Sequence, residues 1–248
     1  MAKESETSKP FVSRAGLKLY HALNEFGLDV TNFICADFGC NVGGFTDCLL
    51  QRGAARVYAI DTAYGVLDYK LRTDRRVIVM ERTNALHAQP PSPPGGVKKG
   101  SGVIFSSPEM TPDPFSLVVI DLGWTPQRLA VPAALRWLRS IPTPTPTPSE
   151  GGPGSRTPPS IITLIKPHYE LSEDEKRSLL IDGRLDPTEA KRIFQRVVEA
   201  MPQLGATVRA TTRSPITGGK SSRRGEGNIE FLALLTPSSS PPPPESDG

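Results

Sequence analysis

A chain of 248 residues, 37% of them hydrophobic, can bury one large core or two small ones, which excludes a wholly disordered protein. Its 29 Lys and Arg against 26 Asp and Glu leave a formal charge of +3, so totals alone do not mark a nucleic-acid binder and any basic surface must be local. No apolar run approaches the roughly eighteen residues of a membrane span and the opening residues lack a secretory apolar stretch. The three cysteines (Cys35, Cys40, Cys48) fit neither a disulfide framework nor a zinc site, so the expected compartment is a reducing cytoplasm.

In chain order, residues 1–10 read as a flexible N-terminus. Ser13 is placed to cap a helix carrying Leu17, Tyr20, Leu23 and Phe26 on one face. Strands are predicted over 33–38, 57–61 and 77–80, with a helix over 45–52 between the first two. Residues 88–114, rich in Pro and Gly, lack the apolar side chains that offset chain ordering and read as a surface insertion. A strand at 117–121, a helix at 128–139 and a second insertion at 141–160 follow. Next come a strand at 161–166, helices at 172–180 and 187–201, strands at 206–211 and 229–235, and a Pro/Ser-rich tail over 237–248 read as extended or disordered.

The first five strands are nearly continuous in apolar character, as in strands covered on both faces, and their alternation with helices predicts a doubly wound α/β fold. Between 211 and 229 turn residues abound without helical periodicity, so the last two strands are predicted to be antiparallel. About seven strands with the last antiparallel is an arrangement similar to class I, Rossmann-like methyltransferases, a likeness of fold only.

The first strand runs into Asp37-Phe38-Gly39-Cys40-Asn41-Val42-Gly43-Gly44-Phe45, and glycines at a strand-to-helix turn let the backbone approach a ligand. The spacing is not Gly-x-Gly-x-x-Gly and no Gly-Lys-Ser/Thr follows, so the pyrophosphate and Walker readings fit poorly. Asp-x-Gly-x-x-x-Gly-Gly is instead similar to an S-adenosylmethionine loop. Asp61 ends the second strand about twenty residues on, where an acidic side chain binds ribose hydroxyls in nucleotide-binding folds. The plainer alternative is an ordinary turn with Asp61 as a helix cap; the two features in register weigh against it. Cys40, at a helix start, reads either as a reactive thiol or, more simply, as a small loop residue.

The blocks Phe11-Val12-Ser13-Arg14-Ala15-Gly16-Leu17-Lys18-Leu19, Gly43-Gly44-Phe45-Thr46-Asp47, Met80-Glu81-Arg82-Thr83-Asn84-Ala85, Leu164-Ile165-Lys166-Pro167 and Gly227-Asn228-Ile229-Glu230-Phe231-Leu232 closely resemble the TlyA-type haemolysin A family of FtsJ-like ribosomal RNA methyltransferases. The resemblance implies an enzyme that methylates ribose 2′-hydroxyls of RNA, with ribosomal RNA or a ribosomal subunit as substrate and S-adenosyl-L-methionine as cofactor. It implies a Lys-Asp-Lys-Glu tetrad of Lys18, Asp121, Lys166 and Glu230. It also implies cofactor contacts from Asp37, Gly39, Gly43, Gly44, Phe45, Asp61, Asn84 and Asp121.

Such chemistry needs a base, because a ribose hydroxyl is a poor nucleophile whose proton must leave as it attacks. Lys166 is the candidate, which requires its pKa to fall through burial or a second cation, while carboxylates oppose that fall. Lys18 would orient the hydroxyl or depress Lys166, and Asp121 and Glu230 would hold the two lysines. For any one of the four, an ordinary salt bridge at a strand end is the alternative.

Family members carry an S4 RNA-binding domain ahead of the Ser-Arg-x-Gly-Leu-Lys block, where only about a dozen residues precede it here, too few for a domain. The expectation is that this module is missing and that a separate RNA-binding partner replaces it. The family's Asp-Val-Ser-Phe-Ile-Ser-Leu is replaced by Asp121-Leu122-Gly123-Trp124-Thr125-Pro126-Gln127, and its Ala-Ser-Thr by Cys40-Asn41-Val42. Two clusters, Lys220, Arg223 and Arg224 with Arg209 and Arg213, and Lys70, Arg72, Arg75 and Arg76, are candidate phosphate contacts or simply solvated surface. Trp124 is a candidate for stacking a base, with packing against the sheet slightly favoured. His168 has no partner at metal-ligand spacing, so no metal is expected. Competing readings are a class I methyltransferase for another substrate and a catalytically silent RNA-binding or ribosome-assembly protein. A pore-former ranks last, since the chain offers no membrane span and no strongly cationic amphipathic helix.

Overall fold

The computed structural model describes residues 9–91, 115–139, 158–218 and 227–238. Most of the expected flexible N-terminus, of both Pro-rich insertions and of the tail lies outside the described residues. Strands β1 (Ile34–Phe38), β2 (Arg56–Ile60), β3 (Val77–Met80), β4 (Leu117–Ile120), β5 (Ser160–Ile165), β8 (Ala206–Arg213) and β9 (Phe231–Pro237) form one sheet in the order β3-β2-β1-β4-β5-β9-β8. Helices α1 (Ala15–Glu25), α2 (Gly44–Gln51), α3 (Tyr69–Arg72), α4 (Gln127–Arg139), α5 (Glu173–Leu179) and α6 (Pro187–Ala200) accompany it. The first five strands pair in parallel, and β9 runs antiparallel to both β5 and β8. The doubly wound α/β fold with an antiparallel last strand is therefore the fold of this chain.

Alternate strand residues enter two cores, because successive side chains of a strand point to opposite faces. Cys35, Val57, Leu117, Val119 and Ile162 pack against Leu19 and Leu23 of α1, Phe45 and Leu49 of α2, and Leu71 of α3. On the other face Phe38, Tyr58, Ile60, Val118 and Ile120 meet α4, centred on the fully buried Trp137, with Val197 of α6. Trp137 makes edge contacts with Phe38, Tyr58 and Phe115, and its Nε1–H donates to the Ala88 carbonyl at 3.1 Å.

Several expectations are corrected. Ser13 does not cap α1: Arg14 occupies the cap position without a side-chain bond, and the Ser13 hydroxyl instead faces Gly44 of α2, where a Cβ would lie 2.3 Å from it. The buried face of α1 is Lys18, Leu19, Ala22 and Leu23, and Tyr20 is exposed, so the apolar stripe is shifted by about one residue. The shift escapes a binary pattern because Lys18, a charged residue, sits inside. Ala88, placed in the first insertion, packs in the core; Ser160, placed in the second, opens β5; Pro237, placed in the tail, ends β9 opposite Ala206. Helix 172–180 stops at Leu179, and Leu180–Ile181 pairs with Arg184–Leu185 as a separate hairpin, β6–β7.

Candidate active site

The sheet register gathers four elements at one end of its central strands. Phe38 pairs with Ile120, Ile120 with Thr163, and Ile165 with Phe231. The residues just beyond these strand ends are Gly39, Asp121, Lys166 and Glu230. Because β9 is antiparallel, its first residue lies beside the last residue of β5, which is why Glu230, preceding a strand, meets Lys166, following one. Lys18 arrives from α1, whose approach is fixed by the Val12 N–H donating to Asp47 Oδ2 of α2 at 2.8 Å and by the close Gly44–Ser13 contact.

These residues line one cleft of about 340 Å³, together with Cys40, Asn41 and Phe45 of the glycine loop and with His168 and Tyr169. Inside it stand two ion pairs. Lys18, 6% exposed, bonds Glu230, and Lys166 Nζ lies 2.6 Å from Asp121 Oδ1 while also donating to the Leu122 carbonyl at 3.2 Å. Burial works against the charge on Lys166, but the Asp121 carboxylate, reinforced by Glu230, outweighs it and holds the ammonium above the ordinary lysine value. The lowered pKa expected of a base is thus reversed here, since the opposing carboxylate sits within bonding distance. Burial pushes the Glu230 carboxyl up despite Lys18. Burial and Lys166 push His168 down to about 4, so its imidazole is neutral near pH 7.

The glycine loop is built by close approaches. Gly39 has φ +86°, and a Cβ there would lie 2.8 Å from the Asp121 carbonyl oxygen. Gly43, with φ +102° at the start of α2, would drive a Cβ into Leu71 and Leu67. Asp61 holds the crest of the loop: its Oδ2 accepts the Asn41 N–H and its Oδ1 the Ala63 N–H, both at 2.8 Å. Asp37 lies beneath the loop, fully buried, one oxygen accepting the Thr46 hydroxyl and Oδ1 having no hydrogen-bond partner. Asn84 lies beyond β3 and accepts the Leu86 N–H, outside the cleft wall. Gly43, Gly44, Asp37 and Asp61 likewise shape the loop rather than line the cleft.

Cys40 is buried, and burial, followed by nearby carboxylates, raises its thiol far above the ordinary value, so the small-loop-residue reading stands over the reactive one. Trp124, 84% exposed, has φ +58° and leans on the Tyr169 ring with centroids 4.9 Å apart; it does not pack on the sheet as favoured above. Lys70 pairs with Asp47, Arg72 with Glu81 and Arg76 with Asp74, so three cations of one basic cluster are already neutralised. Lys220, Arg223 and Arg224 lie outside the described residues. Among the described residues no group of His, Cys, Asp and Glu could hold a metal ion, and no helix is long and apolar enough to cross a membrane.

Residue-by-residue reading missed two contributors. Glu170 accepts the Gln127 N–H at 2.9 Å, tying the loop after β5 to the start of α4. Asn228, inside a quoted block but given no role, binds the β6–β7 hairpin. An Asp-Gly pair between short apolar runs, Asp182-Gly183, is the signal that marks such a hairpin.

The FtsJ-like methyltransferase profile matches residues 11–224. The chain belongs to the FtsJ-like methyltransferase family. It is 35% identical over 227 residues to YqxC of Bacillus subtilis, a candidate rRNA methyltransferase, covering 91% of this chain but spanning only 65% of that relative. It is 30% identical to the 16S/23S rRNA (cytidine-2′-O)-methyltransferase TlyA of Mycobacterium tuberculosis, over 93% of this chain and 70% of TlyA. A hemolysin candidate from Lactococcus lactis superposes with a TM-score of 0.67 at 32% identity, covering 91% of this chain and 88% of that one.

S-adenosyl-L-methionine is the cofactor class of this FtsJ-like chain. The residues present fit it: a glycine cradle that side chains would fill, a carboxylate fixed to the crest of that cradle, and an orphaned buried acceptor below it. Asp61→Ala is expected to weaken S-adenosylmethionine binding by about ten- to a hundredfold in a calorimetric titration, through a loosened Asn41 crest of the glycine loop. Unchanged affinity in a folded variant would remove Asp61 from the cofactor site.

Proposed function

We propose that the cleft methylates ribose 2′-hydroxyls of RNA, with ribosomal RNA, free or in a subunit, as substrate. The observation that carries this reading is the placement of the Lys18–Glu230 and Lys166–Asp121 pairs in one cleft against the glycine loop. Relatives named for rRNA cytidine-2′-O-methylation support the substrate class.

In this reading Gly39, Gly43, Gly44 and Phe45 shape the cofactor cradle, Asp37 lies under it, and Asp61, Asn84 and Asp121 flank it. S-adenosylmethionine supplies an electrophilic methyl group on a sulfonium. Lys18, held by Glu230, donates a hydrogen bond that fixes the ribose hydroxyl. Lys166 takes that hydroxyl's proton on Nζ and, being an ammonium in the free protein, must first lose one of its own. A cation in the cleft and burial both favour that loss; Asp121 opposes it and fixes the amine in direction. Trp124, on the rim over Tyr169, presents an aromatic face to a nucleobase, since stacking tolerates any base.

The test is transfer of labelled methyl from S-adenosylmethionine to purified ribosomal RNA and to assembled subunits, followed by digestion to nucleosides. A labelled 2′-O-methylnucleoside is the expected product. Cofactor binding without transfer to any RNA or subunit would overturn the assignment.

A further inference from the structure

The hairpin 180–185 has two residues in each strand, too few for independent stability, and its turn residues Asp182 and Gly183 both have positive φ, at 50° and 75°. Asn228 clasps it from the side. Its Nδ2 donates to the Gly183 carbonyl at 2.9 Å, and its Oδ1 accepts the Leu185 N–H at 2.8 Å, so one amide grips the turn and the returning strand. Its own carbonyl accepts the Gly218 N–H at 2.9 Å.

The next two residues extend this clasp in opposite directions. Ile229 packs on the small core of Leu171, Leu185, Ala190 and Ile193 beneath the hairpin. Glu230 points into the cleft and bonds Lys18, its carbonyl accepts the Ser214 N–H, and Gly218 comes so close that a Cβ there would lie 2.0 Å from Glu230 Oε1. Asn228 itself lines the cleft. A short hairpin, a cleft-lining amide and an active-site carboxylate are thus joined within three consecutive residues.

We propose that Asn228 is a positioning residue that locks hairpin 180–185 to the segment bearing Glu230, so that the hairpin fixes where Glu230 holds Lys18. The inference rests on reading the cleft as the methyl-transfer site. Lys166 and Asp121 lie on other strand ends and are not held through Asn228.

Asn228→Ala removes both side-chain bonds. Asn228→Asp keeps an acceptor for Leu185 but turns a second oxygen toward the Gly183 carbonyl. In both, amide hydrogen exchange at Leu185 is expected to rise by about tenfold or more, and the Glu230 carboxyl titration, followed by NMR, to shift. The single-turnover rate on RNA should fall by about ten- to a hundredfold, with S-adenosylmethionine affinity within about twofold of wild type and the melting temperature little changed. Faster exchange at Leu185 with an unchanged Glu230 titration and unchanged transfer would overturn the proposal. So would a joint fall in cofactor affinity, rate and melting temperature, which marks a merely structural residue. If the wild-type protein transfers no methyl to RNA, the functional reading fails, and exchange with titration still decides whether Asn228 holds Glu230.

Discussion

Replacing Lys166 by alanine is expected to lower the first-order rate of methyl transfer by about 10²–10⁴-fold, the weight of a positioned acid–base group, with cofactor affinity nearly unchanged. Lys166 stands between the Asp121 carboxylate, 2.6 Å away, and the Leu122 carbonyl, so its amine has a set direction as well as a shifted ionisation. Burial alone would favour the neutral amine; Asp121 reverses this and leaves the base form a minority near neutral pH. The wild-type rate should therefore climb through the neutral and mildly alkaline range by about one log unit per pH unit. Asp121→Asn removes the opposing carboxylate, so its rising limb should move to lower pH even though its plateau falls. A flat profile, or a Lys166→Ala enzyme within about tenfold of wild type, would exclude Lys166 as the base.

The second large effect concerns stability. Asp37, fully buried at the end of β1, has its carboxyl pushed by burial up to about 7, with the Asp121 and Asp61 charges adding to the shift and the Thr46 hydroxyl opposing it. Its folded pKa is above the unfolded value of 3.8, so folding takes up a proton between these limits. The contribution is fully present below about pH 4 and is lost as pH rises through about 7, a change on the order of 4 kcal/mol for a shift of about three units. Asp37→Asn cannot ionise, so its melting temperature should fall less than that of wild type between pH 5 and pH 8. Glu170, also pushed up to about 7 by burial, acts in the same direction but is common to both proteins. Parallel melting curves across that range would show that Asp37 does not carry the pH dependence. The unpartnered Oδ1 of this carboxyl, kept beneath the glycine loop, suits a loop that meets a donor-bearing cofactor.

The central strands were readable because their apolar runs are uninterrupted: Leu117–Ile120 and Ser160–Ile165 are buried at every position. The glycine loop was readable from its residues, yet its physical reason was not. Gly39 is required by the Asp121 carbonyl and Gly43 by Leu71 and Leu67, neighbours about 80 and 28 positions away that no local window contains. The phase of α1 was misplaced because its buried Lys18 is satisfied by Glu230, 212 residues along the chain. Packing is the expectation for Trp124 because a large aromatic residue is usually inside; its exposed position against the Tyr169 ring is visible only in three dimensions.

By itself, the sequence determined the strand and helix alternation and the loop that follows the first strand, because these depend on local pattern, and its family resemblance singled out the four polar residues proposed for the site. The tertiary structure decided how they work together. An antiparallel β9 beside β5 brings Glu230 to Lys166, the β1–β4 pairing brings Gly39 to Asp121, and α1 packed on α2 carries Lys18 to Glu230. Which carboxylate meets which lysine, and hence whether Lys166 starts as an ammonium or an amine, follows from distances between strand ends. Electrostatic interaction falls with separation in space, and separation along the chain does not measure it.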